Sequence, residues 1–408
     1  MLPALEFPLP GPGEHHAWRW PSPIRHLFNL DVCPKRPDGD TRWANWVQQS
    51  LEEAHADGAT RAEAVLRLAY LAWHDALSAG ERAAFGRVLW SKLDERQPPL
   101  PAGTDLPLHI LARLPAPEGY DAEANARAGL FETEFGPDDL NQMHGIVAAA
   151  LDRSAGTALL PTREQARQLF DMIAAWTRQP LDADTAAPFG RPPDDAQRLA
   201  GEVLAFAVVP RLAPEDFIPE RVRVLLEPHG RISRSSLVPA LPHLAGSISE
   251  ALPEVVRRIR RATVGQGAGE VMGGALAIET WVRLERIKRA PALPGELVER
   301  VVSAIEARRW EGLDALLRCA RELVEADKLA AGDKARLAET LGDLLDGASY
   351  DAINPVCKEA ITVSLVRAEC VRLARSLEEH GAAGDATAGW LSAATTDPLP
   401  EVRFALES

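Results

Sequence analysis

The feature that most constrains this fold is the recurrence of apolar residues at helical spacing behind helix-capping signals. In "TRAEAVLRLAYLAWHDAL" the apolar stripe consists of Ala64, Leu68, Leu71 and Ala72. A Ser or Thr followed three positions later by Glu or Gln is typical of a capping box, which marks a helix start. Three such pairs are Thr60 and Glu63, Ser78 and Glu81, and Thr162 and Gln165. These patterns predict helices throughout the chain.

Signals for β-strands are almost absent. Alternating runs of β-branched and aromatic residues do not recur, and the chain has only three tyrosines. We therefore predict an all-α fold, with more than half of the residues in helices.

Helix starts also recur at a regular interval in the second half of the chain. Leu252-Pro253, Leu293-Pro294 and Asp333-Lys334 lie about 41 residues apart, with two apolar-periodic helices between successive starts. That length is typical of HEAT and armadillo repeats, and a solenoid can accommodate 408 residues without enlarging its core. The sequence predicts a HEAT/armadillo-like helical-repeat solenoid, in which the final "DPLPEVRFAL" is a last repeat helix.

Composition along the chain predicts three parts. Residues 1–40 are rich in proline and lack helical periodicity, which indicates an extended arm. Trp18 and Trp20 on this arm are candidate partner-binding residues. We expect an N-terminal helical subdomain over 41–190 and the helical-repeat domain over 191–408.

Several classes of protein are disfavoured by composition. The four cysteines lie far apart without CxxC spacing, which fits a reducing compartment rather than a zinc site or disulfide framework. The N-terminus lacks the basic start and apolar run of a signal peptide, and no apolar stretch is long enough to span a bilayer. A net charge of −14 disfavours wrapping of nucleic acid over the whole surface. We expect a cytoplasmic protein with no membrane partner.

Two motifs suggest chemistry at first sight. His15 and His16 are adjacent on the extended arm, where successive side chains point in opposite directions and form a poor metal chelate. Gly265, Gly267 and Gly269 precede a helix and could cradle a phosphate, but a basic helix stands where a dinucleotide-binding fold needs a strand. These glycines favour a helix–helix turn with close backbone packing. We predict no catalytic residues, no metal and no cofactor.

One segment reverses the acidic character of the chain. Between residues 254 and 289 there are eight basic and four acidic residues. The candidate binding patch consists of Arg257, Arg258, Arg260, Arg261, Trp281, Arg283, Arg286, Lys288 and Arg289. Arginine guanidinium groups bind carboxylates and phosphates equally well. The patch is interpreted either as a docking surface for an acidic protein, as a nucleic-acid surface, or as a solvated face paired with acidic neighbours.

Three stretches resemble a known family. They are "FGRVLWSKLDERQPPLPAGTDLPLHILARLPAPEGYD", "LPGELVERVVSAIEARRWEGLDALLRCARELVEADKL" and "GWLSAATTDPLPEVRFAL". They are similar to the helical C-terminal regions of bacterial antiphage-defence proteins that carry a SIR2-like, NAD-consuming domain, and the likeness covers residue 43 to the end. The resemblance implies a sensor or oligomerisation scaffold. The motifs of the NAD-consuming domain, which is the effector of those proteins, are missing from this sequence. The resemblance therefore also implies that NAD hydrolysis belongs to another polypeptide or segment.

The sequence thus favours a non-catalytic scaffold or sensor subunit that binds a protein, with a separate effector subunit as one candidate partner. Two alternatives remain open. One is a helical nucleic-acid-binding protein, supported by the basic segment alone. The other is a helical enzyme whose site is assembled from residues distant in sequence.

Overall fold

The computed structural model of the protein describes the following residues: 41–56, 64–65, 68–69, 71–72, 77–90, 121–131, 140–151, 159–177, 193–227, 232–307, 311–346, 360–382, 385–397, 402–403 and 405–406. Most of these residues are helical and none lies in a strand. The prediction of an all-α fold is therefore confirmed for this part of the chain. The predicted arm, with Trp18, Trp20, His15 and His16, lies outside the described residues.

The chain divides into two compact units, residues 1–165 and 166–408. The helices that begin in the first unit are α1 Thr41–Glu53, α2 Ala79–Trp90, α3 Ala122–Phe131, α4 Leu140–Leu151 and α5 Arg163–Thr177. The last of these continues into the second unit.

The second unit begins with short and irregular helices and ends with long ones. The first group is α6 Pro193–Glu202, α7 Pro219–Leu226, α8 Arg234–Leu237 and α9 Leu241–Ser247. The second group is α10 Leu252–Ala262, α11 Ala268–Arg286, α12 Gly295–Glu306, α13 Leu313–Glu325, α14 Ala331–Asp346, α15 Ala360–Glu379 and α16 Asp385–Ala394. Helix α6 runs on through a π-helical turn over Val203–Val208, and 3₁₀ turns cover Val209–Arg211, Pro214–Asp216, Val238–Ala240 and Ser249–Ala251.

Two of the predicted capping boxes are present as reciprocal hydrogen bonds. The Ser78 backbone N–H donates to the Glu81 carboxylate over 2.8 Å, and the Glu81 N–H donates to the Ser78 hydroxyl over 3.3 Å. Thr162 and Gln165 make the same pair of bonds over 2.9 and 3.2 Å. Each box satisfies backbone N–H donors that the first helical turn leaves unpaired. The sequence therefore predicted these two helix starts correctly. Thr60 lies outside the described residues.

The predicted apolar stripe is buried as expected. Ala64 and Leu68 are inaccessible to solvent, and Leu71 and Ala72 are nearly so.

From α10 onward the helices of the second unit pack in two layers. Helix α10 packs against α12, α12 against α14, and α14 against α16. The intervening helices α11, α13 and α15 pack on one another in the same order, and the chain neighbours also pack together in the pairs α10–α11, α12–α13, α14–α15 and α15–α16. Helices α10, α12 and α14 begin at Leu252, Gly295 and Ala331, close to the three predicted starts.

Helix α11 is the most enclosed helix around the candidate patch. It contacts α8, the Val238–Ala240 turn and α9 on one side, and α10 and α13 on the others. Gly273 and Gly274 make this approach possible, because a Cβ at Gly273 would lie 2.5 Å from the Ser235 carbonyl oxygen and one at Gly274 would lie 2.6 Å from the Thr263 nitrogen. Close packing is thus provided by Gly273 and Gly274, whereas a Cβ at Gly267 or Gly269 would meet no atom within 4 Å, so the close packing predicted for those two glycines was wrong.

The last described residues fold back onto α15. Val402 and Ala405 are fully buried against Ala368, Val371 and Ala394. Among the described helices, none is both long and apolar enough to cross a membrane.

Candidate binding surface

Helix α10 presents its arginines outward because its apolar residues recur on the opposite face. Pro253 lies in its first turn, where the missing N–H costs no helical hydrogen bond. Val255 and Ile259 are fully buried and Val256 is nearly so, as their helical spacing predicted. The remaining positions turn the four arginines toward the surface of the second unit. We call Arg257, Arg258, Arg260 and Arg261 the α10 ridge.

Three of the four ridge arginines are held by carboxylates. Arg257 and Arg258 both bind Glu254, with nitrogen–oxygen distances of 2.6 Å, and Arg260 lies 3.2 Å from Glu296 on α12. Hydrogen bonds from Arg257 and Arg258 lower the pKa of Glu254 to about 2, so this carboxylate is ionised at neutral pH. Part of the ridge charge is thus neutralised locally, as expected for a solvated, paired helix face.

Arg261 is the exception. It is exposed, and the described residues offer it neither an ion pair nor a hydrogen-bond acceptor for its side chain. Its charge is therefore available to a ligand.

A first cleft of about 400 Å³ opens beside Arg261, on the side of α10 that faces α7 and α8. Its charged lining combines four arginines with two glutamates: Arg234, Arg257, Arg258, Arg261, Glu227 and Glu270. Its apolar lining is Leu225, Leu226, Leu237, Val238, Leu241 and Ala262. The cleft thus joins a basic rim to an apolar floor.

A second cleft, of about 660 Å³, opens between α10 and α12. Its charged lining is Arg257, Arg260, Arg261, Arg300 and Glu296. Its apolar lining is Leu252, Pro253, Val256, Val264 and Pro294. Arg257 and Arg261 line both clefts, so the ridge forms their shared wall.

Sequence reasoning missed two members of this surface. Arg234 on α8 is exposed, Arg300 on α12 is half-buried, and neither side chain has a partner within the described residues. Both face the clefts from elements distant in sequence from the ridge. No local pattern marks them, since only tertiary packing brings them to α10.

The second half of the predicted patch lies elsewhere. Arg283, Arg286, Lys288 and Arg289 are exposed at the end of α11, and none of them is among the residues that line the two clefts. The Arg289 backbone instead packs against Gly246 of α9. The structure therefore divides the predicted patch into two separate groups of cations.

Trp281 does not belong to an exposed surface. It is fully buried, and its indole Nε1 donates a hydrogen bond of 2.9 Å to the Pro291 carbonyl. Its place in the patch was therefore wrong. The spacing of Ile278, Trp281 and Val282, which share one helical stripe, would have placed it in the core.

The backbone just after α11 is also constrained. Lys288, two residues beyond the helix, adopts a left-handed conformation with φ of 58°. The following N–H, of Arg289, donates to the Leu284 carbonyl over 2.8 Å, which closes the helix in a Schellman motif. The position of Lys288 is thus fixed by helix termination.

Two cations at the end of α11, Arg283 and Arg289, affect the pKa of a nearby histidine. Burial, together with the positive charges of Arg283 and Arg289, lowers the pKa of His243 on α9 to about 4. His243 is therefore neutral in the folded protein at neutral pH.

This neutral histidine predicts a pH dependence of stability. Below pH 6.5 the unfolded chain binds a proton at His243 that the folded chain excludes, so we expect stability to fall as the pH drops from 6.5 to 4. Because the ring is partly accessible, the expected loss is about 2 kcal/mol. Urea midpoints at several pH values, compared between the wild type and His243→Gln, measure it. An identical pH dependence in both proteins would contradict this account.

The thiols of the two described cysteines are unreactive because they are buried. Cys319 and Cys370 are fully buried, and burial raises the pKa of the Cys319 thiol well above its usual value and that of Cys370 to about 12. The described ranges contain no group of three or more His, Cys, Asp or Glu residues that could hold a metal ion.

Comparison with known proteins adds little to this description. No protein-family model matches the chain, and no curated protein matches it. Among solved structures, an engineered protein whose crystal structure comes from the Northeast Structural Genomics Consortium aligns over 94% of this chain and 92% of its own. The identity is 14% and the TM-score is 0.31, and a similarity at that level supports no functional argument.

Proposed function

We propose that this protein is a non-catalytic helical scaffold or sensor subunit that binds another protein along the α10 ridge. The observation that carries the proposal is the pair of basic, apolar-floored clefts that share Arg257 and Arg261. Protein partners recognise such surfaces through an apolar centre with a charged rim.

A HEAT-like repeat is the architecture we propose for residues from α10 onward. Its support is the packing of alternate helices into two layers, with the two helices of each pair, α10–α11, α12–α13 and α14–α15, also packed on each other. Repeat proteins of this kind use extended concave surfaces for binding. The second cleft lies between α10 and α12, two neighbouring helices of one layer, and the first lies where α10 meets the helices that precede the repeat.

The class of partner follows from charge. Arg234, Arg261 and Arg300 have guanidinium groups with no partner among the described residues, and such groups form bidentate bonds with carboxylates. We therefore propose an acidic protein as the partner, within a cytoplasmic complex. The resemblance to helical regions of SIR2-like antiphage-defence proteins makes a separate effector subunit, encoded beside this chain, the first candidate.

The test uses the full chain co-expressed with the product of each adjacent gene. We expect one of these products to form a complex that size-exclusion chromatography with light scattering detects. Arg261→Glu should weaken this complex at least about tenfold, because a reversed charge repels the partner's carboxylates. Arg286→Glu is the matched control, since Arg286 is exposed, lies outside both clefts and has no side-chain partner in the part of the chain that the structure describes. It should leave the complex unchanged.

Two results would contradict the proposal. Equal weakening by both reversals would show a general charge effect rather than docking at α10. Turnover of NAD or ATP by the purified chain, at a rate proportional to its concentration through the last purification step, would favour the helical-enzyme alternative.

A further inference from the structure

We infer that the two clefts hold a single extended acidic segment of the partner, laid across α10, with apolar residues between its carboxylates. This inference rests on the proposed function and specifies its ligand. The starting point is the placement of the unpaired cations, that is, the arginines with no partner within the described residues. Arg234 and Arg261 line the first cleft, and Arg261 and Arg300 line the second.

Arg261 thus lies in the shared wall, with one further unpaired guanidinium in each cleft. A ligand that stays in one cleft can reach only two of the three unpaired arginines. A ligand that crosses the ridge can reach all three, which favours an extended segment over a compact anion. Because an α-helix with its side chains is about 10 Å across and a strand advances about 3.3 Å per residue, the crossing takes about three residues.

The floors of the clefts specify what lies between the carboxylates. Leu226 in the first cleft and Leu252 and Val264 in the second are only half-buried, so each floor keeps apolar surface that a ligand can cover. Ligand leucine or valine side chains would cover these floors and bury apolar area at about 25 cal/mol per Å². Purely anionic ligands would leave both floors in contact with water.

Carboxylates fit this surface better than a nucleic-acid backbone does. Glu227 and Glu270 lie in the first cleft and Glu296 lies in the second, where each would repel a continuous run of phosphates. The described lining of both clefts also contains no aromatic side chain on which bases could stack. Spaced carboxylates can avoid the glutamates, whereas phosphates at every nucleotide cannot.

Fluorescence anisotropy of labelled peptides tests this directly on the full chain. The main probe is a peptide of about 12 residues that alternates glutamates with leucines, a length that spans both clefts at about 3.3 Å per residue. Its controls are a peptide with serines in place of the leucines, one with lysines in place of the glutamates, and a single-stranded DNA of similar length. We expect the main probe to bind at least about tenfold more tightly than each control.

Single substitutions then locate the binding. Arg234→Glu, Arg261→Glu and Arg300→Glu should each weaken the main probe, and Arg261→Glu should have the largest effect because Arg261 lines both clefts. Arg286→Glu should leave binding within about twofold of wild type. Glu254→Gln should tighten it, because this change releases Arg257 and Arg258 from their ion pairs.

The outcomes separate this inference from the function it rests on. Equal binding of the leucine and serine peptides, or an unchanged affinity in Arg261→Glu, overturns the inference. Tighter binding of the DNA with a steep salt dependence replaces the peptide with nucleic acid. A natural complex that is sensitive to Arg261→Glu, but that the main probe does not displace, leaves the proposed function standing and removes the extended acidic segment.

Discussion

Replacing Trp281 with alanine is expected to lower the free energy of unfolding by about 3–5 kcal/mol. The side chain is among the largest that are fully buried, and its loss would leave a cavity beside the C-terminal third of α11. It would also remove the Nε1 hydrogen bond that ties the Pro291 carbonyl to this helix. Urea unfolding of the full chain, followed by far-UV circular dichroism, measures the change.

Two further variants make this result specific. Trp281→Phe keeps much of the buried area but loses the N–H donor and one ring of the indole, so an intermediate loss is expected. Met272→Ala removes a side chain that is 45% exposed on the same helix, and should change stability by no more than about 0.5 kcal/mol. A similar loss from Trp281→Ala and Met272→Ala would contradict the burial of Trp281.

Adding a single methyl group at Gly274 is expected to lower the free energy of unfolding by about 2 kcal/mol. The new Cβ would lie 2.6 Å from the Thr263 nitrogen, and a backbone atom cannot rotate away as a side chain could. Overpacking of this kind usually costs 1–3 kcal/mol or more, about 1 kcal/mol of which is returned by alanine's better helix propensity. Gly273→Ala should behave alike, because its Cβ would lie 2.5 Å from the Ser235 carbonyl oxygen.

The same helix offers a matched control for the added methyl group. Gly269 lies in the first turn of α11, and a Cβ there would meet no atom within 4 Å. Gly269→Ala should therefore leave stability unchanged or raise it by up to about 1 kcal/mol. If Gly274→Ala and Gly269→Ala had equal midpoints in urea, α11 could not be packed as closely as described.

Local features of this fold could be predicted from the sequence because their physical causes are local. The boxes at Ser78 and Thr162 formed because a side chain three residues away completes the backbone hydrogen bonding. The buried face of α10 followed from the spacing of Val255 and Ile259. These interactions need no knowledge of the neighbouring helices.

The candidate site could be predicted only in part, since it depends on which helices become neighbours. The ridge arginines were predicted, but Arg234 and Arg300 reach the clefts from other elements that leave no trace in the local pattern. The count of charges over residues 254–289 was also misleading. One of its four acidic residues, Glu279, is not exposed in the patch but is buried in an ion pair of 3.1 Å with Arg318 of α13. Linear clustering of charge does not imply one surface, as the separate position of Arg286 shows.

Photo-crosslinking from position 261 tests the central claim most directly. Benzoylphenylalanine would replace Arg261 in one variant and Arg286 in the other, and each would be irradiated with the partner that co-expression identifies. We predict that position 261 crosslinks to one acidic, leucine- or valine-containing segment of the partner and that position 286 gives no crosslink. Equal crosslinking from both positions, or crosslinking from 286 alone, would contradict docking at the α10 ridge.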